Sequence, residues 1–473
     1  MKGKTITRRR FIKHGATAAL SMGTIALYCT RQRKTPNFIV LVTDDQRWDM
    51  LGCMGNSIIQ TPNIDKLASE GVLFKNAFVT TAICCTSRAS IFLGQYARRH
   101  GIHDFSTDFS PEQLQLCYDQ QLKTAGYRIG FIGKYGVGSN LPADSYDFWA
   151  GVPGQPRYEN LDEQGQPIHY TRLCGNFAQS FLKDCSANQP FCLSISFKAP
   201  HVEDSDPRQF IYDPKYSSLY DSIDIPIPSK ADPSFYKALP AFIQSDSTTA
   251  RIRWKRRFSE SDLYQTMVKG YYRLITGVDT IVGELFETLN TLGLAENTII
   301  MLIGDNGFFL GERGLAGKWY GYEESIRVPL IFYDPNARRR NRNQQRQEMV
   351  LNIDVAPTLL DLAGLPIPES MQGKSLRPLL SGKTPTWRNE FFYEHLFQVP
   401  LEHQSRVGNI PRSIGVRTSR FKYLRYLDFE NYEQLFDLEM DPDEKNNLAV
   451  ESAFADRLKE LREKTDRYVV KLK

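Results

Sequence analysis

The segment PNFIVLVTDDQ, residues 36–46, is a short apolar run that ends in two acidic residues. An uninterrupted apolar run of this length is typical of a strand that is buried on both faces, as in a parallel sheet. We therefore predict a strand from about Phe38 to Thr43, with Asp44 and Asp45 directly after its carboxyl end.

The same plan recurs along the chain, with helices between the apolar runs. TPNIDKLASEG (61–71) has Thr61 at the N-cap, Pro62 in the first turn and Gly71 as the stop of a predicted helix. Further helices are predicted within 111–126 and 271–293, and further strands within 128–132, 189–201, 297–307 and 326–335. This alternation favours an α/β fold with a mostly parallel sheet covered by helices on both faces.

Polar residues follow the predicted strands at equivalent positions. In open α/β sheets, ligands bind at the edge formed by the carboxyl ends of the strands. We expect the following side chains to meet at that edge: Asp44, Asp45, Lys134, His201, Asp305 and Asn306.

The alternating pattern stops near residue 380. SGKTPTW (381–387) is typical of a linker, and the residues beyond it predict short antiparallel strands followed by a final helix. We therefore divide the chain into a main domain, 36–385, and a smaller C-terminal α+β subdomain with an antiparallel sheet, 386–473.

The formal net charge of +5 comes from the N-terminus. Residues 1–36 hold nine Lys and Arg and no acid, which leaves 50 basic against 54 acidic residues in the remainder. The main part of the chain therefore gives no case for nucleic-acid binding.

The segment TRRRFIK (7–13) resembles a twin-arginine export signal and precedes a modestly apolar stretch that ends at Cys29. A membrane span needs about 20 apolar residues, and this stretch is shorter and diluted by Gly, Thr and Ser. We predict that residues 1–35 are an export signal, that the protein is periplasmic and that its mature chain has no transmembrane segment. The alternative is lipid attachment at Cys29, where Tyr28 is larger than the residue that such sites usually have.

Carboxylate and amide oxygens at two strand ends predict a metal site. Such oxygens suit Ca²⁺ or Mg²⁺, whereas softer metals prefer clustered His and Cys. Positive charge or hydrogen-bond donors come toward the same edge from Arg88, Lys134, His201 and Lys318. A divalent cation with cationic side chains around it is suited to a tetrahedral oxyanion.

The segment TAICCTSRASIFLGQYARRHG (81–101) places Cys84 and Cys85 side by side at the start of a predicted helix. Adjacent cysteines cannot easily bridge each other, and their spacing is not that of a metal site. Two interpretations remain open from the residues alone. They are either small buried hydrophobic side chains or they include a nucleophile at a helix N-terminus.

With these motifs the sequence resembles the formylglycine-dependent (type I) sulfatases of the alkaline-phosphatase-like superfamily, from about Pro36 to Leu448. The segments that carry the resemblance are LVTDDQ, CCTSRASIFLGQYARRHG, FIGK, SFKAPH, IGDNGFFLGERGLAGKW, YEESIRVPLI, DVAPTLLDLAG, MQGKSL and LFDLEMDPDEKNNLA.

The resemblance implies a role for each residue at the predicted edge. Ser87 and Arg88 align with the end of the family signature Cys-x-Pro-Ser-Arg, which makes Cys84 the residue that a maturation enzyme oxidises to formylglycine. The resemblance implies that this formylglycine is the nucleophile in hydrolysis of the sulfate ester of a sulfated carbohydrate. Arg88 would steady the formylglycine, Lys134 and Lys318 would hold sulfate oxygens, and His201 would assist at the leaving oxygen. The implied ligands of Ca²⁺, or of Mg²⁺, are Asp44, Asp45, Cys84, Asp305 and Asn306.

Two positions depart from the family pattern. Thr86 replaces the signature proline, and Gly136 in GKYGVG replaces a histidine that serves breakdown of the intermediate. Two alternatives to a sulfatase stay open. One is a phosphonate monoester or phosphodiester hydrolase, because relatives of that kind share the fold and the metal edge, and the other is an inactive homologue that binds sulfated glycans, which the missing histidine suggests.

Substrate specificity is expected in segments that have no readable motif. These segments are 169–174, 204–257 and 395–412. The arginine-rich stretches 251–257 and 337–347 are expected to be solvated charged surface.

Overall fold

The structure is a computed structural model that describes residues 35–186 and 188–473. Residues 1–34, with most of the predicted export signal and Cys29, lie outside the described residues. Within the described ranges the strands are β1 (Asn37–Thr43), β2 (Val72–Phe78), β3 (Arg128–Lys134), β4 (Phe148–Val152), β5 (Glu159–Leu161), β6 (Pro167–His169), β7 (Phe191–Ser196), β8 (Thr298–Gly304), β9 (Phe309–Leu310), β10 (Ala316–Gly317), β11 (Arg327–Tyr333), β12 (Gln344–Leu351), β13 (Glu390–His395), β14 (Ser413–Thr418), β15 (Phe421–Tyr426) and β16 (Glu433–Asp437).

Helices separate the strands of the first 385 residues, as the alternating pattern predicts. The α-helices of the described ranges are α1 (Pro62–Glu70), α2 (Cys84–Leu93), α3 (Ala97–His100), α4 (Pro111–Leu116), α5 (Tyr118–Thr124), α6 (Tyr170–Lys183), α7 (Pro233–Lys237), α8 (Ala241–Gln244), α9 (Thr249–Arg257), α10 (Ser261–Thr291), α11 (Glu323–Ile326), α12 (Val355–Leu362), α13 (Arg377–Leu380), α14 (Leu401–Val407) and α15 (Ala455–Lys471). The helix predicted within 111–126 is two helices, because Cys117 between them has an extended ψ of 140°.

The main sheet has eight strands in the order β12-β2-β11-β8-β1-β7-β3-β4. Strand β1 lies at its centre and runs parallel to both neighbours, β7 and β8. Strand β11, predicted within 326–335, is present and is antiparallel to both β2 and β8. The other strand pairs of this sheet are parallel, which confirms the prediction of a mostly parallel sheet.

Both faces of the main sheet are buried. Successive residues of β1 point to opposite faces, and they belong to two separate cores: Phe38, Val40 and Val42 to one, and Ile39 and Leu41 to the other. The first core includes buried residues of α2, α5 and α12, and the second includes those of α1, α6 and α10. Helices on both faces explain why the strands are apolar throughout.

The C-terminal residues form a second, smaller sheet. Strands β13, β14, β15 and β16 pair in that order, all antiparallel, and α15 follows them, as predicted. The proposed division at residue 385 falls between α13 and β13, and residues 36–473 form one compact unit. No helix in the described ranges is long and apolar enough to cross a lipid bilayer.

Candidate active site

The ends of β1 and β8 bring three carboxylates together. The two strands are in register with Thr43 opposite Gly304, so the acids that follow them lie side by side. The Asp305 backbone N–H donates to the Thr43 carbonyl at 2.9 Å, and that of Asp45 donates to Asp305 Oδ1 at 3.1 Å. Asp44 and Asp305 are fully buried, as the prediction of a site at this edge requires.

Cationic side chains come to the same edge from three other elements. Lys134 is the last residue of β3, and its Nζ donates to Asp44 Oδ2 at 2.5 Å. Lys318, directly after β10, donates to Asp45 Oδ1. His201 lies five residues beyond β7, with Nε2 3.5 Å from Asp45 Oδ2. The edge therefore combines acids and cations from distant parts of the chain.

Helix α2 contributes Cys84 and Arg88. Cys84 is its first residue, and Arg88 is one turn later on the same face. Arg88 Nε donates to Asp305 Oδ2 at 2.8 Å, and Nη1 donates to the Lys134 carbonyl at 2.7 Å. The ligand atoms of Cys84, Asp44 and Asp305 all lie within 4.8 Å of one another. Cys84 is thus part of the polar cluster.

Cys85 lies in different surroundings. It belongs to an apolar cluster with Ile83, Leu239 and Phe309, and burial followed by the neighbouring Cys84 raises the pKa of its thiol to about 12. The helix therefore separates two chemically identical side chains. Cys84 faces the carboxylates, and Cys85 is a packed hydrophobic residue.

Burial and neighbouring charges shift the pKa values of Asp44 and Asp305 in opposite directions. Burial alone would raise the pKa of Asp44, but the charges of Lys134, His201, Lys318 and Arg88 hold it well below its ordinary value. Burial and the charge of Asp44 raise the pKa of Asp305. Two buried carboxylates this close therefore do not both ionise readily without further positive charge.

Two buried oxygen atoms at this edge, one from Asn306 and one from Asp44, are left for a metal ion. The Asn306 amide nitrogen donates to Asp45 Oδ1 at 2.7 Å and to the Gly307 carbonyl at 2.8 Å, which leaves its Oδ1 as the free atom. Within the described residues, Asn306 Oδ1 and Asp44 Oδ1 are buried without a hydrogen-bond partner. Unpaired buried oxygens are costly, and a hard divalent cation would satisfy both. The residues present therefore fit Ca²⁺ or Mg²⁺.

A second set of ligand atoms overlaps the first. Atoms of Asp44, Asp45 and His201 also lie within 4.8 Å of one another. A nitrogen ligand suits Zn²⁺ better than Ca²⁺. The identity of the bound metal is therefore a direct test of which set is used.

A cavity of about 470 Å³, here called the active-site pocket, opens onto this edge. Its lining includes Cys84, His201 and Lys318. Its lining also includes Phe105 and Gln155, which no sequence motif marked, Trp319, and residues of the predicted specificity segments, namely Asp204, Arg253, Phe397, Val399 and His403. Gln155 also donates to Asp44 Oδ2 at 3.2 Å.

Two of the three predicted specificity segments line this pocket, 204–257 and 395–412. Residues 169–174 instead line a small separate cavity. The expectation that stretch 251–257 is solvated surface is wrong at its end, because Arg257 is fully buried and donates to Asp204 Oδ1 at 2.6 Å. A pairing between segments 50 residues apart is not visible in a local charge pattern.

Gly136 lies against Arg88. Its φ is +76°, in the left-handed region, and a Cβ atom there would be 2.7 Å from Arg88 Cδ. Arg88 therefore occupies the space beside position 136, where the family pattern has a histidine. Two histidines line the active-site pocket together with Cys84, namely His201 and His403.

Known proteins share this fold and sequence. Residues 36–365 match the sulfatase family, and residues 311–471 match the family described as N-sulphoglucosamine sulphohydrolase, C-terminal. An N-acetylglucosamine-6-O-sulfatase of Bacteroides thetaiotaomicron is 30% identical over 94% of this chain and 88% of the relative.

Solved structures agree with these matches. A structure in complex with its substrate D-glucosamine-2-N,6-O-disulfate has a TM-score of 0.77 at 28% identity, over 93% of this chain and 98% of the other. A phosphonate monoester hydrolase of Agrobacterium radiobacter has a TM-score of 0.75 at 21% identity, over 93% and 96%, and thus shares the fold. Since the family match covers most of the chain and a relative at 30% identity covers nearly all of it, the protein belongs to the sulfatase family of the alkaline-phosphatase-like superfamily.

Proposed function

We propose that this sulfuric ester hydrolase removes the 6-O-sulfate of a glucosamine derivative in a sulfated carbohydrate. The observation that carries the proposal is the cluster of Cys84, three carboxylates and two lysines, from which Cys84 and Lys318 line the active-site pocket. The sugar class rests on the relative that acts on N-acetylglucosamine 6-sulfate and on the structural neighbour bound to glucosamine-2-N,6-O-disulfate.

The residues at the edge are suited to two further groups that the proposed reaction requires, a divalent cation and a modified Cys84. Asp44, Asp45, Asp305, Asn306 and the modified Cys84 would hold Ca²⁺, with Mg²⁺ as the alternative. A bound cation would offset the negative charge of the sulfate oxygens, and formylglycine would provide a hydrated aldehyde as the nucleophile. The proposal requires a maturation enzyme that accepts Thr86 within the signature.

The lysines and Arg88 would bind and orient the sulfate. Burial disfavours the charged form of Lys134 and Lys318. The negative charge of Asp44 has the largest opposite effect on Lys134, and that of Asp45 on Lys318, so that the pKa of each amine is raised. Both lysines therefore stay charged at neutral pH. Arg88 is held by Asp305 and the Lys134 carbonyl, and it fixes the position of α2 relative to β3 and β8. Charged side chains that are already in position before the reaction stabilise an oxyanion without having to reorganise, and the effect is strongest where water is excluded.

His201 is suited to proton transfer at the leaving oxygen. Its Nδ1 lies 2.7 Å from the Val202 carbonyl, which assigns the hydrogen of the neutral ring to Nδ1 and leaves Nε2 facing the site. Burial lowers the pKa of the His201 ring to about 4, so the ring is neutral near pH 7, and Nε2 must take up a proton before it can donate one to the leaving oxygen.

The proposal is tested by sulfate release from a panel of defined compounds. N-acetylglucosamine 6-sulfate and glucosamine-2-N,6-O-disulfate should be turned over, and an aryl phosphodiester much more slowly. A faster phosphodiester reaction would favour the phosphonate or phosphodiester hydrolase, whose fold this chain shares. Glycan binding without turnover, by protein shown to carry formylglycine, would favour the inactive homologue.

We further propose that residues 1–35 direct export to the periplasm. The support is the arginine pair Arg8 and Arg9 followed by a short apolar stretch. Replacing both arginines with lysine should retain the protein in the cytoplasm, as measured by cell fractionation. Unchanged arrival in the periplasm would contradict the proposal.

A further inference from the structure

A second cavity of about 680 Å³ adjoins the active-site pocket. The two cavities share Asp204, Arg253 and Val407 in their walls. One wall is the loop 204–209, and the opposite wall is a face of α9 that carries Ile252, Arg253 and Arg256. Its volume is in the range of cavities that bind small molecules. We call it the adjoining cavity.

The walls of the adjoining cavity are held in place by Arg257. This buried side chain donates from Nε to Gln209 Oε1 at 2.8 Å and from Nη2 to Asp204 Oδ1 at 2.6 Å. It thus joins the end of α9 to both ends of the loop. A cavity whose walls are connected by a buried charge pair needs little ordering when a ligand binds.

Arg256 is the cation of the adjoining cavity that is available to a ligand. The Asp204 carboxylate is already paired with Arg253 at 2.9 Å and with Arg257, and the Asp206 carboxylate is paired with Arg208 at 2.8 Å. Arg256 is exposed and donates to the backbone carbonyl of Asp204 at 3.1 Å. Arg256 lines the cavity, and no carboxylate of the described residues pairs with it. A guanidinium binds sulfate or carboxylate through paired hydrogen bonds.

We infer that the adjoining cavity is a second subsite, in which Arg256 binds the sulfate or carboxylate of the sugar next to the one that loses its ester. The inference rests on the proposed function, because the active-site pocket defines where the first sugar lies. It makes the preferred substrate an oligosaccharide with a charged neighbouring unit.

The test compares a heparin tetrasaccharide with the monosaccharide glucosamine-2-N,6-O-disulfate. In the unaltered enzyme, kcat/KM for sulfate release should be higher for the tetrasaccharide. In Arg256→Gln the ratio of the two kcat/KM values should fall about tenfold, the loss expected for one charge-assisted hydrogen bond.

Lys255→Gln is the matched control. Lys255 is the adjacent residue of α9, carries the same charge, pairs with Asp246 at 2.7 Å and lines neither cavity. It should leave the ratio unchanged. Equal ratios in the two variants, or no preference for the tetrasaccharide in the unaltered enzyme, would overturn the subsite.

Binding separates this inference from the proposed function. Titration calorimetry with Cys84→Ala protein measures tetrasaccharide affinity without turnover. If no compound is hydrolysed but Arg256→Gln, in that background, weakens binding about tenfold more than Lys255→Gln, the subsite stands and the proposed reaction fails. Absence of tetrasaccharide binding would overturn the subsite whatever the enzyme hydrolyses.

Discussion

Replacing Gly136 with alanine should damage the active site through Arg88. The substitution has two separable effects. The first is backbone strain, because Gly136 has a φ of +76°. A side chain in this region costs about 1–2 kcal/mol. The second is contact, because the new Cβ would lie 2.7 Å from Arg88 Cδ and 3.2 Å from its Nε.

Arg88 cannot move away without losing hydrogen bonds. Its guanidinium donates to Asp305 at 2.8 Å and to the Lys134 carbonyl at 2.7 Å, and it is only 2% exposed. Losing one such charge-assisted bond costs about 1.5–3 kcal/mol. Strain and displacement together therefore predict a loss of about 2.5–5 kcal/mol in the free energy of unfolding.

Activity should fall with stability, because Arg88 fixes two groups of the site. We expect kcat/KM for sulfate release to fall at least about 100-fold, equivalent to roughly 2.7 kcal/mol. The assays are urea unfolding and initial rates on the same preparations.

Gly126→Ala is the matched control. Gly126 has a φ of +90°, and no atom lies within 4 Å of the position its Cβ would take. It should show the strain alone, about 1–2 kcal/mol, with near-normal kcat/KM. If Gly136→Ala were as stable and as active as Gly126→Ala, the argument about Arg88 would be refuted.

The other predictions concern the metal and the pH dependence of stability. Asp305→Asn should abolish turnover while circular dichroism shows a folded protein; retained activity would contradict the metal assignment. Removal of divalent ions with a chelator should inactivate the enzyme, and Ca²⁺ or Mg²⁺ should restore it; restoration by Zn²⁺ alone would favour the ligand set with His201. Burial raises the pKa of Asp119 to about 6, so the native state holds a proton that the unfolded chain releases. Its stabilising contribution is therefore present below about pH 4 and is lost as the pH rises toward 6. Urea unfolding of Asp119→Asn at pH 5 and pH 8 should show a smaller difference than the unaltered protein, by roughly 1.4 kcal/mol, which is the part of the contribution that remains at pH 5; an equal difference would contradict this pKa.

Much of the fold was predictable because its signals are local. Both faces of the central strand β1 are covered, so its sequence is continuously hydrophobic up to the acidic pair that begins at Asp44. The direction of β11 was not predictable in this way. Its segment is as apolar as that of a parallel strand, and its orientation depends on its pairing with β2 and β8.

The candidate site divides along the same lines. Residues at strand ends, such as Asp305, and those in a short motif, such as Cys84 and Arg88, were found from sequence. Gln155 was missed, because it reaches the pocket from a loop that has no motif, and Arg253 was predicted only as a member of the broad segment 204–257. The position of Gly136 against Arg88 likewise depends on packing between β3 and α2.

The central claim is that Cys84, and not its neighbour Cys85, becomes the nucleophile. It is tested most directly by peptide mass spectrometry across residues 81–88 of protein that turns over sulfate ester. We expect the thiol-to-aldehyde mass change, with fragment ions that place it on Cys84 and an unmodified thiol on Cys85. An aldehyde on Cys85, or full activity with both thiols intact, would contradict the account.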